Sequence, residues 1–302
     1  MSLAEQIRAI ERRFGHENAS IIAKHDRFEV IPTGWPEVDA ALGGGLASGA
    51  LHEWFGVDDS APPPPKEAPR RRAGETASAP WGRFPGQAPQ NTFRETWSPP
   101  VCLFVHLARQ ALEAGRSPFW IVWVGARCFP YPAVLTRPGD NDLGLLARSL
   151  FVAPRDVNTR LWAIDLALRS PAVGVVIADG SALSMAATRR VQLLAKRHRT
   201  LMLAARPPWE QQQLSAAQSR WLILRQPYVA DDESFSVHPR WIVQLLRCKG
   251  GQRQTSCDTW ALEWQSGTST VYLSPEVAHP AHPATQEVAA ERRKPRPAAR
   301  SA

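Results

Sequence analysis

The side chains best equipped for chemistry in this chain are cations on one predicted helix. At about 100° per residue, residues 185–199 place Ala187, Val191, Leu194, Ala195 and His198 on one face. Arg189, Arg190, Lys196 and Arg197 fall on the other, flanked by Arg199. No acidic residue lies within the run, so the outward face either stays a solvated surface, tracks phosphates or docks a partner. The segment 206–220 adds Trp209 among Gln211, Gln212, Gln213 and Gln218, a setting in which an indole can stack on bases or anchor a partner. Nucleophilic and metal chemistry has less support. Cys102, Cys128, Cys248 and Cys257 form no C-x-x-C pair and have no histidine cluster beside them, which argues against structural zinc and for the reduced thiols of a cytoplasmic protein. No Ser-His-Asp or paired-carboxylate arrangement stands out, so no catalytic residue, metal ligand or cofactor site is assigned.

Composition limits what can hold these groups. The chain has 302 residues, 44% of them hydrophobic and 21% charged, enough for one large domain with tails or two small ones and too apolar for a wholly disordered protein. A net charge of +8 suits an anionic partner, nucleic acid first among them. The absence of a long uninterrupted apolar window predicts no membrane span, and the charged amphipathic start predicts no secretory signal.

The start itself reads as a short helix: Leu3, Ile7, Ile10 and Phe14 recur at i, i+4, i+7 and i+11 with Arg8, Arg12 and Arg13 turned away, and Gly15 ends it. A strand is predicted at 28–31 and another at 50–55, separated by the turn at Gly34, Trp35 and Pro36 and the break at Gly43, Gly44 and Gly45. Ten of the chain's 27 prolines fall within 57–100, so that stretch is expected to make neither ladders nor helices and to form a disordered or polyproline insertion, with Trp81, Phe84, Phe93 and Trp97 available for docking. From 101 onward helices (101–114, 159–169, 185–198) alternate with apolar strands (119–124, 173–178, 201–205), and 143–151 runs from helix into strand. Near-continuous apolar strands between helices predict a parallel sheet covered on both faces. Four further strands at 221–225, 240–248, 259–264 and 270–273 have no helix-length gaps, so the sheet should finish antiparallel, with Gly250 and Gly251 turning the hairpin between the second and third. The Pro-, Ala- and Arg-rich tail beyond 275 is expected to be disordered.

The opening motifs, Ile10-Glu-Arg-Arg-Phe14-Gly15, Ile31-Pro-Thr33-Gly34 and Val38-Asp39-Ala-Ala-Leu42-Gly43-Gly44-Gly45, resemble the start of the RecA recombinase family. The run Ser170-Pro-Ala-Val-Gly-Val-Val-Ile-Ala-Asp179-Gly180 looks like the second acidic motif of the same family. The resemblance implies an α/β RecA-like fold with a docking element at 1–30, a core at 31–56 and 101–275, the insertion at 57–100 and a basic tail at 276–302. It implies that Leu3, Ile7, Ile10 and Phe14 form a docking helix, and that Asp179 is what remains of the metal-binding chemistry. Asp179 also has a local reading, capping the turn Gly180-Ser181.

The departures from that family carry more information. A phosphate loop G-x-x-x-x-G-K-[ST] needs successive backbone N–H donors and a lysine directly after the first core strand. Asp58, Asp59 and the prolines stand there, and none of the five lysines follows a glycine. Trp123-Val-Gly125-Ala126-Arg127-Cys128 offers no carboxylate to position water, and the strand ending in Ala204 and Ala205 lacks the family's amide switch. Phe129-Pro130-Tyr131-Pro132 and Ala178-Asp179-Gly180-Ser181, followed by Met185-Ala-Ala-Thr188-Arg189-Arg190-Val191-Gln192-Leu193, resemble the ImuA family, RecA-like accessory proteins of bacterial SOS mutagenesis. That resemblance implies a non-enzymatic adaptor in DNA-damage-induced translesion synthesis, without a cofactor. It would work beside a Y-family polymerase homologue and an error-prone replicative-type polymerase, with RecA and single-stranded DNA as further candidate partners. An ATP-independent binder of single-stranded DNA and an ATPase with an atypical phosphate site remain the alternatives.

Overall fold

The computed structural model describes residues 30–59, 96–115, 119–136, 144–226, 239–250, 259–265 and 270–274. The expected docking helix with Leu3, Ile7, Ile10 and Phe14, the centre of the Pro-rich segment with Trp81, Phe84 and Phe93, Gly251 and the tail lie outside the described residues.

A two-stranded ladder comes first. β1 (Val30–Ile31) leads through Thr33, whose N–H and hydroxyl both donate to the Asp39 carboxylate at 2.8 and 2.7 Å, into α1 (Pro36–Leu42). The proline sits at the helix start, where its missing N–H costs nothing. β2 (Leu46–Ala47) then pairs antiparallel with β1. A Cβ at Gly45, which has φ +136°, would lie 2.2 Å from the Ile31 carbonyl oxygen, so only glycine lets the chain return this closely.

The main sheet is built from β3 (Leu51–Phe55), then β6 (Trp120–Val124), β7 (Ser149–Val152), β8 (Val173–Asp179), β9 (Leu201–Arg206), β10 (Ser219–Arg225), β11 (Arg240–Cys248), β12 (Thr259–Gln265) and β13 (Thr270–Leu273), with the short β4 (Val57–Asp58) and β5 (Trp97–Ser98) outside it. Among the described residues its nine strands run in the order β13-β12-β11-β10-β3-β9-β8-β6-β7. Neighbours from β10 to β7 are parallel, and β10 to β13 are antiparallel. This is the expected α/β RecA-like arrangement. Every residue of β8 is buried, as a central parallel strand covered on both faces requires. α2 (Val101–Ala114) covers one face, where Leu103, Phe104 and Leu107 join Trp54, Trp123, Ile177 and Leu203. α3 (Gly144–Ala147) is a single turn before β7. α4 (Val157–Arg169) and α5 (Met185–His198) cover the other face, where Ile164, Val191 and Ala195 meet Leu51, Val122, Val176 and Met202. Both have side-chain N-caps: Asp156 accepts from the Thr159 N–H and Ser184 from the Ala187 N–H. Among the described residues no helix is long and apolar enough to cross a membrane.

One expectation needs correcting. Residues 57–100 were expected to make no ladder, yet Val57 pairs with Ser98 and Asp58 with Trp97, and the Asp59 N–H donates to the Thr96 carbonyl at 3.0 Å. The prolines that dominate the stretch skip positions 57–59 and 96–98, so a composition averaged over the whole segment hid two strand-competent ends.

Candidate functional site

The mouth of the parallel sheet, beyond the ends of β3, β6, β8 and β9, is where an open α/β fold places its ligands. Here the exit of β3 is closed. The Gly56 N–H donates to the Arg206 carbonyl at 2.8 Å, and β5 lies against Gly56 so tightly that a Cβ there would stand 2.3 Å from the Ser98 carbonyl oxygen and 2.6 Å from the Trp97 ring. Trp97 is buried. Arg127 lies over its indole at 5.0 Å and donates to its carbonyl at 3.2 Å. The chain then enters α2 through Pro99 and Pro100, which have no N–H, and the first helical N–H, that of Val101, is bonded to the Pro99 carbonyl. The two prolines offer no donor to a phosphate at this helix start, and the Val101 N–H is already engaged.

Asp179 ends β8 beside this closed exit. One carboxylate oxygen accepts from the Ser181 N–H at 2.9 Å, which makes the turn. The other lies 3.1 Å from Arg160 and 3.9 Å from Arg127. Arg160 also donates to the Ser181 carbonyl. Guanidinium charge therefore surrounds the one carboxylate that the RecA resemblance assigns to metal chemistry. Among the described residues no three His, Cys, Asp or Glu side chains converge on a point where they could hold a metal ion. Burial, reinforced by the Asp179 charge, pushes the neighbouring Cys128 thiol far above its ordinary range, which leaves it a packing group and not a nucleophile.

A buried ion network lies on the other side of the mouth. Arg206, fully buried at the end of β9, donates to Glu53 of β3 at 2.8 Å, to Glu210 at 2.6 and 2.9 Å, and to Gln213 and the Leu183 carbonyl. Arg220 of β10 completes Glu53 at 2.9 Å and reaches the Gln211 carbonyl, its guanidinium 4.8 Å over the Phe55 ring. Glu210 also accepts from the Ala182 N–H at 2.9 Å. Three strands, the β8–α5 turn and the loop after β9 are thus held by four charges. Every oxygen of the two carboxylates accepts from a guanidinium or, for one oxygen of Glu210, a backbone N–H, a geometry that suits fastening and not proton transfer.

The cations of α5 stand elsewhere, on its outer surface. Arg189, Arg190, Lys196, Arg197 and Arg199 are all exposed. The face is not free of acid: Asp165 of α4 meets Arg190 at 2.8 Å, a contact between helices that inspection of α5 alone could not reveal. Arg199 ends the helix in the left-handed conformation. Trp209 is 41% exposed on a single 3-10 turn, Pro208–Glu210, next to the buried Glu210 that anchors the loop. The structure therefore groups the α5 cations on one helix and sets Trp209 on the separate, network-anchored loop.

No family model matches the chain. Two curated proteins from strains of Caulobacter vibrioides, both named Protein ImuA, are 31% identical to it over 169 residues. Over that stretch the chain is similar to ImuA-type proteins. The match covers 52% of this chain and 66% of each relative, so this chain spans just under two thirds of the length of those relatives. The residues that sequence reasoning missed are Glu53, Arg206, Glu210 and Arg220. The available signal was Glu53 itself, a carboxylate inside the apolar strand Leu51-His52-Glu53-Trp54-Phe55, which has to find a buried cation.

Proposed function

We propose that this chain is an ImuA-type, non-catalytic RecA-like adaptor in DNA-damage-induced translesion synthesis, working with a Y-family polymerase homologue and an error-prone replicative-type polymerase. The observation that supports it most directly is the closed exit of β3: the β4–β5 ladder and Trp97 lie on Gly56, and Arg160 and Arg127 surround Asp179. A RecA-like body kept intact while its nucleotide site is filled by its own side chains suits a protein that binds other proteins. The test has two parts. Calorimetric titration with Mg-ATP should give no saturable heat, and the intact chain should co-purify with the two polymerase-type proteins from cells exposed to DNA damage. Saturable nucleotide binding that Asp179→Ala removes would turn the reading toward an ATPase with an atypical phosphate site.

A second reading, ATP-independent binding of single-stranded DNA, draws on the exposed cations of α5. If they track phosphates, Arg189→Ala with Arg197→Ala weakens binding equally for all sequences and flattens the log-log salt dependence by about one unit for each phosphate no longer neutralised. Unchanged binding returns the helix to a solvated or protein-binding role.

A further inference from the structure

The outward surface of α4 and α5 carries large apolar side chains that the fold leaves about half exposed. Trp162 is 48% exposed, Met185 44% and Leu193 59%. Two contacts set the helices side by side and in the same direction. Arg160, near the start of α4, donates to the Ser181 carbonyl just before α5, and further along Arg190 of α5 meets Asp165 of α4. Trp162 and Met185 both fall between those contacts, so they share one end of the surface. Leu193 stands about 12 Å farther along α5 at 1.5 Å per residue. Arg189, exposed, lies between Met185 and Leu193 at the i+4 step, and Arg197 follows Leu193 by the same step.

The surface carries exposed apolar side chains at two levels about two helical turns apart, set among arginines. Its one carboxylate, Asp165, is neutralised from within by Arg169 at 2.6 Å and by Arg190. Of these apolar side chains only Trp162 offers a flat face for a base, and Met185 and Leu193 gain nothing from a phosphate chain. Apolar anchors with cationic flanks are instead complementary to an amphipathic helix whose apolar residues recur at i and i+7 between acidic ones. We infer that the α4–α5 surface docks an acidic amphipathic helix of a partner protein, with Trp162 and Met185 contacting it at one level, Leu193 at the other, and Arg189 and Arg197 pairing with its carboxylates. The inference deepens the adaptor reading and rests on it for the existence of a protein partner.

The probe is a labelled helical peptide of about five turns with leucine and phenylalanine at i, i+3, i+4 and i+7 and glutamate elsewhere, titrated against the full chain by fluorescence anisotropy. The same peptide with lysine for glutamate, and an oligothymidylate, run beside it. The glutamate peptide is expected to bind at least about ten-fold more tightly than the lysine peptide, and Trp162→Ser with Leu193→Ser to weaken it by about ten-fold or more. Both positions are exposed, and circular dichroism checks the fold. Arg189→Glu with Arg197→Glu provides an independent variant that should reverse the preference toward the lysine peptide. A glutamate peptide that binds no better than the lysine one, or is indifferent to the Trp162 and Leu193 changes, overturns the inference. Loss of oligothymidylate but not peptide binding in these variants assigns the surface to nucleic acid and overturns it as well. Co-purification separates the two readings. If the polymerase-type proteins are retained equally by the intact chain and by the Trp162→Ser, Leu193→Ser variant, the adaptor reading stands and the surface inference falls. If the intact chain retains neither protein while the peptide results hold, the adaptor reading falls and the surface stands.

Discussion

Arg206 binds two carboxylates, an amide and a carbonyl from one fully buried position. Removing its charge strands Glu53 and Glu210 in the interior, so Arg206→Met should cost about 3–5 kcal/mol in urea unfolding. Arg206→Lys should fall between that variant and the native protein, because one ammonium cannot span the same acceptors. A second residue-scale prediction concerns His52. The Trp221 indole N–H donates to the Ser219 hydroxyl at 2.7 Å, the hydroxyl donates to His52 Nδ1 at 2.6 Å, and His52 Nε2–H donates to the Ala47 carbonyl at 3.0 Å. That relay fixes a neutral tautomer. Burial, partly offset by the Ala47 carbonyl, lowers the pKa from 6.5 to about 4. The unfolded chain therefore takes up a proton between those values that the folded chain refuses. The His52 contribution to stability is expected to be complete above about pH 6.5, to fall by about 3 kcal/mol as the pH drops toward 4, and then to level. His52→Gln should flatten the unfolding free energy across that window whatever its effect on the overall level.

At the scale of elements, the β4–β5 ladder predicts two opposite outcomes. Replacing residues 60–95 by Asn-Gly between Asp59 and Thr96 should leave unfolding stability equal to or above that of the intact chain, because a two-residue hairpin turn closes the ladder directly. Trp97→Ala should cost about 3 kcal/mol or more, since it empties the space over Gly56. Excising 58–99 removes Trp97 as well and should behave like the point variant. Most elements were legible in the residues: the helices Val101–Ala114 and Met185–His198 and the strands Arg240–Cys248 and Thr270–Leu273 have the ends that periodicity and turn residues predict. β2, β4 and β5 were not, because two residues carry no period. The same limit hid the ion network. Glu53 lies 153 residues from Arg206 and 167 from Arg220, and only the parallel register of β3 with β9 and β10 brings them together. The α5 cations, by contrast, share one helix and follow from spacing alone, whereas Asp165 opposite Arg190 required the packing of two helices.

For the whole molecule, a ligand that binds the folded state raises its melting temperature by mass action, by about 2.7 kcal/mol of stability at a hundredfold excess over Kd. On the adaptor reading millimolar Mg-ATP or Mg-ADP should leave the thermal midpoint where it is, and added partner protein should raise it. A nucleotide-dependent shift abolished by Arg160→Ala or Asp179→Ala would count against that reading.

The hydrogen bond between Asp59 and Thr96 holds together two backbone positions with 36 residues between them in the sequence. Closing such an excursion costs free energy that grows only with the logarithm of its length, so doubling it adds about 0.6 kcal/mol. What β4 and β5 require is that their two ends arrive together, and by this scaling the length of chain between them matters little. At this position length and composition can drift through evolution almost independently of folding, and a foreign domain spliced in at the same point would find its two ends already held side by side.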